Sequence, residues 1–401
     1  IEKQLKRKLQ NETFSSAKQL YAIIQNEIVF IARPVTKKEA LHGPRVKDWE
    51  EAINREWSHM FSFNVFDKEL LEKSRAVELY GDKCRFVPSV LPLVEKGMEL
   101  PPEERRLKAR LCAAGNRVRN MMGRIAIDGA EGMWSAPASL AVFRLVVALA
   151  NRPGYVLETC DLDAAYLQST LPAEPFYFLE VPADILPAQL KEQGSKMKRP
   201  CLRIRRSLYG LEHSGHVWNS FAAEQLQSLG WRRCMAEAEP SLFTKVVDGK
   251  VCFALLYVDD IVLACDQSLC ASLWDEIRIA FKMKATETAR IYLGIGMKRR
   301  DDNNVCFEQE NYINKMVKDF EENHDVKLKK YRTPMLNIPM PSEKGTSVGK
   351  YADFGSKWVG ALLFLMRGSR PDIAFATGCL GRFTSCWSEE CDAALVRLMG
   401  Y

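Results

Sequence analysis

Apolar residues recur along this chain with two periods. From Asp48, the positions Trp49, Ala52, Ile53, Trp57 and Met60 fall at helical spacing. They predict an amphipathic helix of about 14 residues, with Asp48 and Glu51 as a capping pair. Phe86 to Gly97 and Leu107 to Ala113 predict two strands joined by the polar, Pro-containing connection Pro101–Glu104. Helical spacing returns at Leu140–Ala150. Val156 to Leu162 predicts a short strand that turns into a helix at Ala164, Ala165 and Tyr166. Trp218, Phe221, Ala222, Leu226 and Leu229 mark a further helix, which Gly230 can end. Val251–Val258 and Ile261–Cys265 are apolar runs separated only by Asp259-Asp260, and a two-residue gap predicts a hairpin. Ser268 is placed to cap a helix carrying Leu273, Trp274, Ile277 and Phe281, and Tyr312, Ile313, Met316, Val317 and Phe320 lie on another. Thr333–Lys350, with three Pro and two Gly, predicts a linker, and Trp358–Met366, Pro371–Phe383 and Glu389–Met399 predict helices. Residues 1–44 form an unassigned lead-in.

Composition adds a partner class. With 401 residues, 47% hydrophobic and 27% charged, the chain suits a folded protein of several subdomains, and no apolar run approaches the ~20 residues of a membrane span. Ile1 to Gln10 has no signal core and no initiating Met, so an intracellular, non-secreted fragment with no membrane association is expected. The 12 Cys are scattered and read as reduced thiols. Neither the Cys265/Cys270 and Cys386/Cys391 pairs nor His213/His216 has the neighbours that complete a zinc site. The net charge of +6 is uneven, with +5 between Glu103 and Arg124, +6 between Lys191 and Arg206, and −5 elsewhere. Such clustering suits a phosphate-rich partner, with Arg203 and Arg205 as candidate nucleic-acid backbone contacts.

The candidate chemistry lies in the carboxylates. Asp is a good turn residue, and a lone Asp-Asp hairpin needs no further explanation. Asp259 and Asp260 follow eight largely apolar residues, however, and Asp161 ends another apolar strand. Carboxylates from separate strand ends can hold two divalent cations about 4 Å apart for in-line phosphoryl transfer, and oxygen ligands favour Mg²⁺ or Mn²⁺. Lys108 and Arg110 alternate onto one strand face, where they can serve a triphosphate or be simply solvated.

These residues resemble the reverse transcriptases of copia-type retrotransposons, from about residue 36 to the end. Tyr257-Val258-Asp259-Asp260 resembles the signature hairpin, and Cys160-Asp161-Leu162-Asp163-Ala164-Ala165-Tyr166-Leu167 the first catalytic strand. Asp48-Trp49-Glu50-Glu51-Ala52, Lys108-Ala109-Arg110-Leu111, Ser207-Leu208-Tyr209-Gly210-Leu211, Tyr292-Leu293-Gly294-Ile295, Thr333-Pro334-Met335 and Arg370-Pro371-Asp372-Ile373-Ala374 are similar to further blocks, in order. Two segments depart from the pattern: Glu212 to His216 replaces Lys-Gln-Ala-Pro-Arg, and Asp128 to Ala136 replaces an acidic, Pro-containing stretch.

The resemblance implies an α+β right-hand polymerase fold: fingers and palm over 45–281, an antiparallel palm sheet bearing the three Asp, a thumb over 282–332, a linker over 333–350, and a helical connection over 351–401 that stops before ribonuclease H. It implies RNA-directed and DNA-templated addition of dNTPs to a primer, catalysed by Asp161, Asp259 and Asp260 with two Mg²⁺. Tyr166, Tyr209 and Gly210 join Lys108 and Arg110 in binding the dNTP, Tyr166 lying beneath the incoming sugar, and Tyr292, Leu293 and Gly294 position the primer. A parent polyprotein with protease, integrase and ribonuclease H, located in cytoplasmic retrotransposon particles, is implied as well. Two alternatives stand beside this reading. One is a catalytically inactive, retroelement-derived nucleic-acid-binding protein, and the other is an RNA-copying RNA polymerase, against which Tyr166 and Tyr257-Val258 argue.

Overall fold

In a computed structural model, residues 32–97, 101–126, 138–300, 304–336 and 347–401 are described. The divergent Asp128 to Ala136 segment, most of the lead-in, and Pro339, Pro341 and Gly345 of the linker lie outside them. The protein is α+β with largely antiparallel sheets, as expected. Its contacts separate two units, one containing residues 32–126 and 170–214, the other residues 138–169 and 215–401.

The second unit is built on a six-stranded antiparallel sheet. Its strands run, in spatial order, Arg232–Met235, Glu239–Val247, Lys250–Tyr257, Asp260–Asp266, Tyr155–Asp161 and Glu287–Thr288. Both faces are covered, so the strands read as nearly continuous apolar runs rather than as alternating ones. Cys252, Ala254, Leu256, Ile261, Leu263 and Cys265 face one core, shared with Trp218, Ala222 and Leu226 of helix Ser214–Ser228 and Leu273, Trp274 and Ile277 of helix Gln267–Ala280. The intervening Leu255, Val262 and Ala264 face a second core, with Phe143, Val146 and Val147 of helix Leu140–Ala150. Each fully buried aliphatic side chain contributes roughly 1.5–3 kcal/mol. A third core joins Met316 and Phe320 of helix Glu310–His324 to the helices Gly355–Gly368, Ala374–Gly381 and Glu389–Met399.

Several local expectations change. The strand predicted from Phe86 to Gly97 is two, Cys84–Val90 and Leu93–Lys96, which enter different sheets. Between them lies Pro92, which has no N–H to give a ladder. Leu107 to Ala113 divides likewise into Arg106–Ala109 and Cys112–Ala113. Ala32–Val35 pairs with Leu93–Lys96, giving part of the lead-in a place in the first unit. The helix predicted from Asp48 spans Val46–Ser62 with Arg45 at its cap position, so Asp48 lies in the first turn, where its carboxylate takes the Arg45 guanidinium at 2.9 Å. The cap of Gln267–Ala280 is Asp266, which accepts from the Ser268 N–H, so Ser268 is the capped residue rather than the cap.

The first unit explains its Gly210. Ala113 N–H donates to Tyr209 O at 2.7 Å and Gly115 N–H to Gly210 O at 3.1 Å. Gly210 has φ +90, and a Cβ there would stand 2.0 Å from the Ala113 carbonyl oxygen. Gly249 also has positive φ (+72), but a Cβ there meets nothing within 4 Å. Gly249→Ala is therefore expected to cost about 1 kcal/mol from backbone strain alone, and Gly210→Ala about 3 kcal/mol or more. Equal urea midpoints for the two variants would refute the close approach.

Candidate active site

The two strand ends expected to meet do so. Asp260 pairs directly with Asp161 across the antiparallel ladder, and Tyr257 pairs with Asp260. The hairpin turn is therefore Val258-Asp259, and Asp260 is the first residue of its strand rather than part of the turn. Directly opposed residues project to the same face with Cβ atoms about 5 Å apart, which makes the Asp161–Asp260 contact a consequence of register. The exposed Asp259 sits on the turn, and its carbonyl accepts from Leu162 N–H at 2.6 Å.

Val258 has φ 54, an uncommon value for a β-branched residue and one that stores local strain. Its carbonyl is held by the indole N–H of Trp218 at 2.5 Å, with Trp218 buried in the core below. The strand-to-helix corner after Asp161 carries a second positive φ, 47 at Ala164. The buried Gln168 ties this corner down, because its amide donates to Asp163 O and Lys282 O, both at 2.8 Å, while its oxygen accepts from Lys282 N–H at 2.9 Å.

Sequence reasoning missed Lys284. Its ammonium is ion-paired with Asp161 Oδ2, and its backbone N–H donates to Asp161 O at 2.9 Å. The alternation Phe281-Lys282-Met283-Lys284 was the available signal, for Met283 bridges to Leu162 just after the strand that ends in Asp161. Trp218 was placed on its helix correctly, but its hydrogen bond was not foreseen.

The electrostatics are those of crowded anions. Burial, then the hydrogen bond and charge of Asp161, then the charge of Asp259, push the Asp260 carboxyl up to about 7, with Lys284 opposing. Burial acts against ionised Asp161 too, but its bonds to Lys284 and Asp260 hold it below the usual range. Burial and the nearby Asp259 charge raise Tyr166, whose half-buried ring packs on the core at the corner.

Other candidates have varied places. Tyr257 packs beside Tyr292, 6.1 Å between centroids, and Tyr292 is buried and stacked on Phe143 at 4.3 Å. Leu293 and Gly294 form the positive-φ turn that follows. Lys108, Arg110, Arg203, Arg205, Tyr209 and Gly210 belong to the first unit. The strand bearing Lys108 ends at Ala109, one residue short of Arg110, so the shared strand face expected for the two cations is not continuous. Arg110 lies over the Tyr209 ring at 5.0 Å. Arg203 lies over Tyr80 and Phe176, at 4.9 and 4.4 Å, and Arg205 is paired with Asp67 at 2.5 Å.

Known proteins resemble this chain in sequence. The profile of the reverse transcriptase (RNA-dependent DNA polymerase) family matches residues 95–337, and the chain belongs to that family. Its relatives include a retrovirus-related Pol polyprotein from transposon RE1 of Arabidopsis thaliana, 27% identical over 298 residues, and another from transposon TNT 1-94 of Nicotiana tabacum, 27% identical over 287. These alignments cover 74% and 69% of this chain but 19% and 20% of the relatives, so the chain spans about a fifth of their length. A putative transposon Ty5-1 protein of Saccharomyces cerevisiae is 24% identical over 56% of this chain and 68% of its own. Residues 95–337 are thus a reverse transcriptase family domain, similar in sequence to the corresponding part of these Pol polyproteins. Among solved structures, a foamy viral protease–reverse transcriptase in complex with double-stranded DNA aligns with a TM-score of 0.41 and 14% identity, over 73% of this chain and 41% of that one. Among the described residues, no helix is long and apolar enough to cross a membrane.

Proposed function

We propose that this chain extends a DNA primer on an RNA or DNA template, adding dNTPs to the 3′-hydroxyl through Asp161, Asp259 and Asp260. The observation that carries this reading is the direct pairing of Asp161 with Asp260 at the strand ends, with Asp259 on the joining turn. The Asp-bearing sheet of the second unit, with its flanking helices, serves as palm and the first unit as fingers within 45–281, with the thumb over about 282–332 and the connection beyond the 333–350 linker. Basic segments of the fingers would meet template and primer phosphates.

The donor set fits hard divalent cations. Two carboxylates share a hydrogen bond, with burial and mutual repulsion raising one of them, an arrangement that a cation relieves. Among the described residues, no group of three or more His, Cys, Asp or Glu converges into a cage. Mg²⁺ in phosphoryl-transfer sites is commonly held by one or two carboxylates, with substrate phosphate and water completing its shell. Two bound Mg²⁺, or Mn²⁺, would activate the 3′-hydroxyl and neutralise the triphosphate and departing pyrophosphate. Asp161 and Asp260 would hold them at the ladder end, with Asp259 reaching from the turn. Trp218 and Gln168 fix the backbone on either side, so the carboxylates are placed before substrate arrives.

Primer extension on an RNA template with labelled dNTPs tests the reading. Template–primer binding without extension would instead favour the inactive nucleic-acid-binding protein, and extension by ribonucleotides alone would favour an RNA polymerase. The parent polyprotein's protease, integrase and ribonuclease H modules, and its residence in cytoplasmic particles, belong to the same proposal.

A further inference from the structure

Lys284 stands against Asp161, at the paired strand ends. Its ammonium contacts Oδ2 of Asp161, one of the two paired carboxylates. The backbone beneath it is fixed by the Lys284 N–H bond to Asp161 O at 2.9 Å and by the Cys160 thiol donating to Lys284 O at 3.1 Å. The side chain is not similarly fixed: 63% of it is exposed, and its Asp161 partner is 54% exposed. A flexible four-carbon stem on an anchored backbone can release its charge into water at small cost without moving the strand.

We propose that Lys284 is a resident counter-ion of the metal site, occupying Asp161 until a divalent cation displaces it, so that metal entry and departure of the ammonium are a single exchange. This rests on the reading of Asp161 and Asp260 as metal ligands. The exchange keeps the crowded carboxylates partly neutralised between cations, and it weakens the apparent affinity for metal by the strength of the ion pair it must break. An exposed ion pair corresponds to a factor of up to about 5. Lys282, two residues earlier, supplies a comparison cation whose backbone is engaged by Gln168.

The test is a titration of the 401-residue chain with Mn²⁺, free ion being read by electron paramagnetic resonance without nucleotide or template. Wild type, Lys284→Met, Lys284→Arg, Lys282→Met and Asp161→Asn are compared, with circular dichroism confirming folding. Lys284→Met is expected to bind Mn²⁺ about threefold to fivefold more tightly, Lys284→Arg like wild type, and Lys282→Met with a much smaller change. If Asp161→Asn leaves the wild-type titration unaltered, the metal-ligand reading falls and the exchange falls with it. If binding depends on Asp161 but Lys284→Met matches wild type, the reading stands and the counter-ion role is overturned. Equal tightening by Lys282→Met and Lys284→Met would also overturn it, because only the general positive field would then matter.

Discussion

Asp260→Asn is expected to lower the rate of primer extension by about 10³-fold or more, with template–primer affinity changed little. Asn keeps the shape and one hydrogen-bonding oxygen of Asp but loses the charge that would hold a cation beside Asp161. Asp161→Asn and Asp259→Asn should behave alike in extension, since no phosphate-binding cation is lost in any of the three. Stability distinguishes Asp260→Asn from ordinary damage. Because Asp260 lies against Asp161 and near Asp259, neutralising it removes repulsion, and the melting temperature should hold or rise slightly. Single-turnover extension, filter binding and a thermal melt on the same preparation check all three quantities. Extension at the wild-type rate by Asp260→Asn would remove the carboxylate pair from the chemistry. Asp163→Asn should be nearly silent in extension, its backbone at the corner being held by Lys282 and Gln168.

Tyr166→Ala is expected to raise ribonucleotide use relative to deoxynucleotide use by on the order of tenfold to a hundredfold. The ring sits at the corner five positions after Asp161, and the Asp259 charge contributes to its raised pKa. Were the ring to lie under the incoming sugar, it would exclude a 2′-hydroxyl by overlap, because packed interiors yield little to an added atom. Tyr166→Phe keeps the ring and should keep the ratio. The ring also packs on the sheet core, and its truncation should cost up to about 3 kcal/mol of stability, lowering both activities in parallel. The informative quantity is therefore the ratio of single-nucleotide incorporation rates in folded protein. A ratio unchanged in Tyr166→Ala would leave Tyr166 as a core aromatic only.

The site sheet was legible in sequence because its two-sided burial leaves long apolar runs, and Asp161, Asp259 and Asp260 stood out at their ends. What the runs did not give was the exact turn. The gap of two acidic residues suggested Asp259-Asp260, whereas Asp260 joins the ladder and Val258 adopts the strained position. Side-chain hydrogen bonding can make a positive-φ Val tolerable, and the Trp218 bond that supports it links residues 40 apart, beyond any local pattern. Lys284 was missed for the same reason: its partner is 123 residues away in sequence. The blocks around Gly210 and Tyr292 were legible as motifs, but their physical content lay in tertiary contacts. Gly210 is a place where two backbones nearly touch, and Tyr292 is buried under the signature hairpin. Pro92, by contrast, was a local signal that the two-strand reading passed over.

The doubly covered hairpin also constrains how this domain can change over generations. Successive residues over 252–257 and 261–265 face opposite cores, so a single inserted or deleted codon in either strand would exchange those faces for every strand residue beyond it. The same slip would turn Asp260 away from Asp161. Point substitution remains open to this hairpin, while changes of length are closed to it, and divergence among descendants should therefore accumulate as replacements in a segment of constant length.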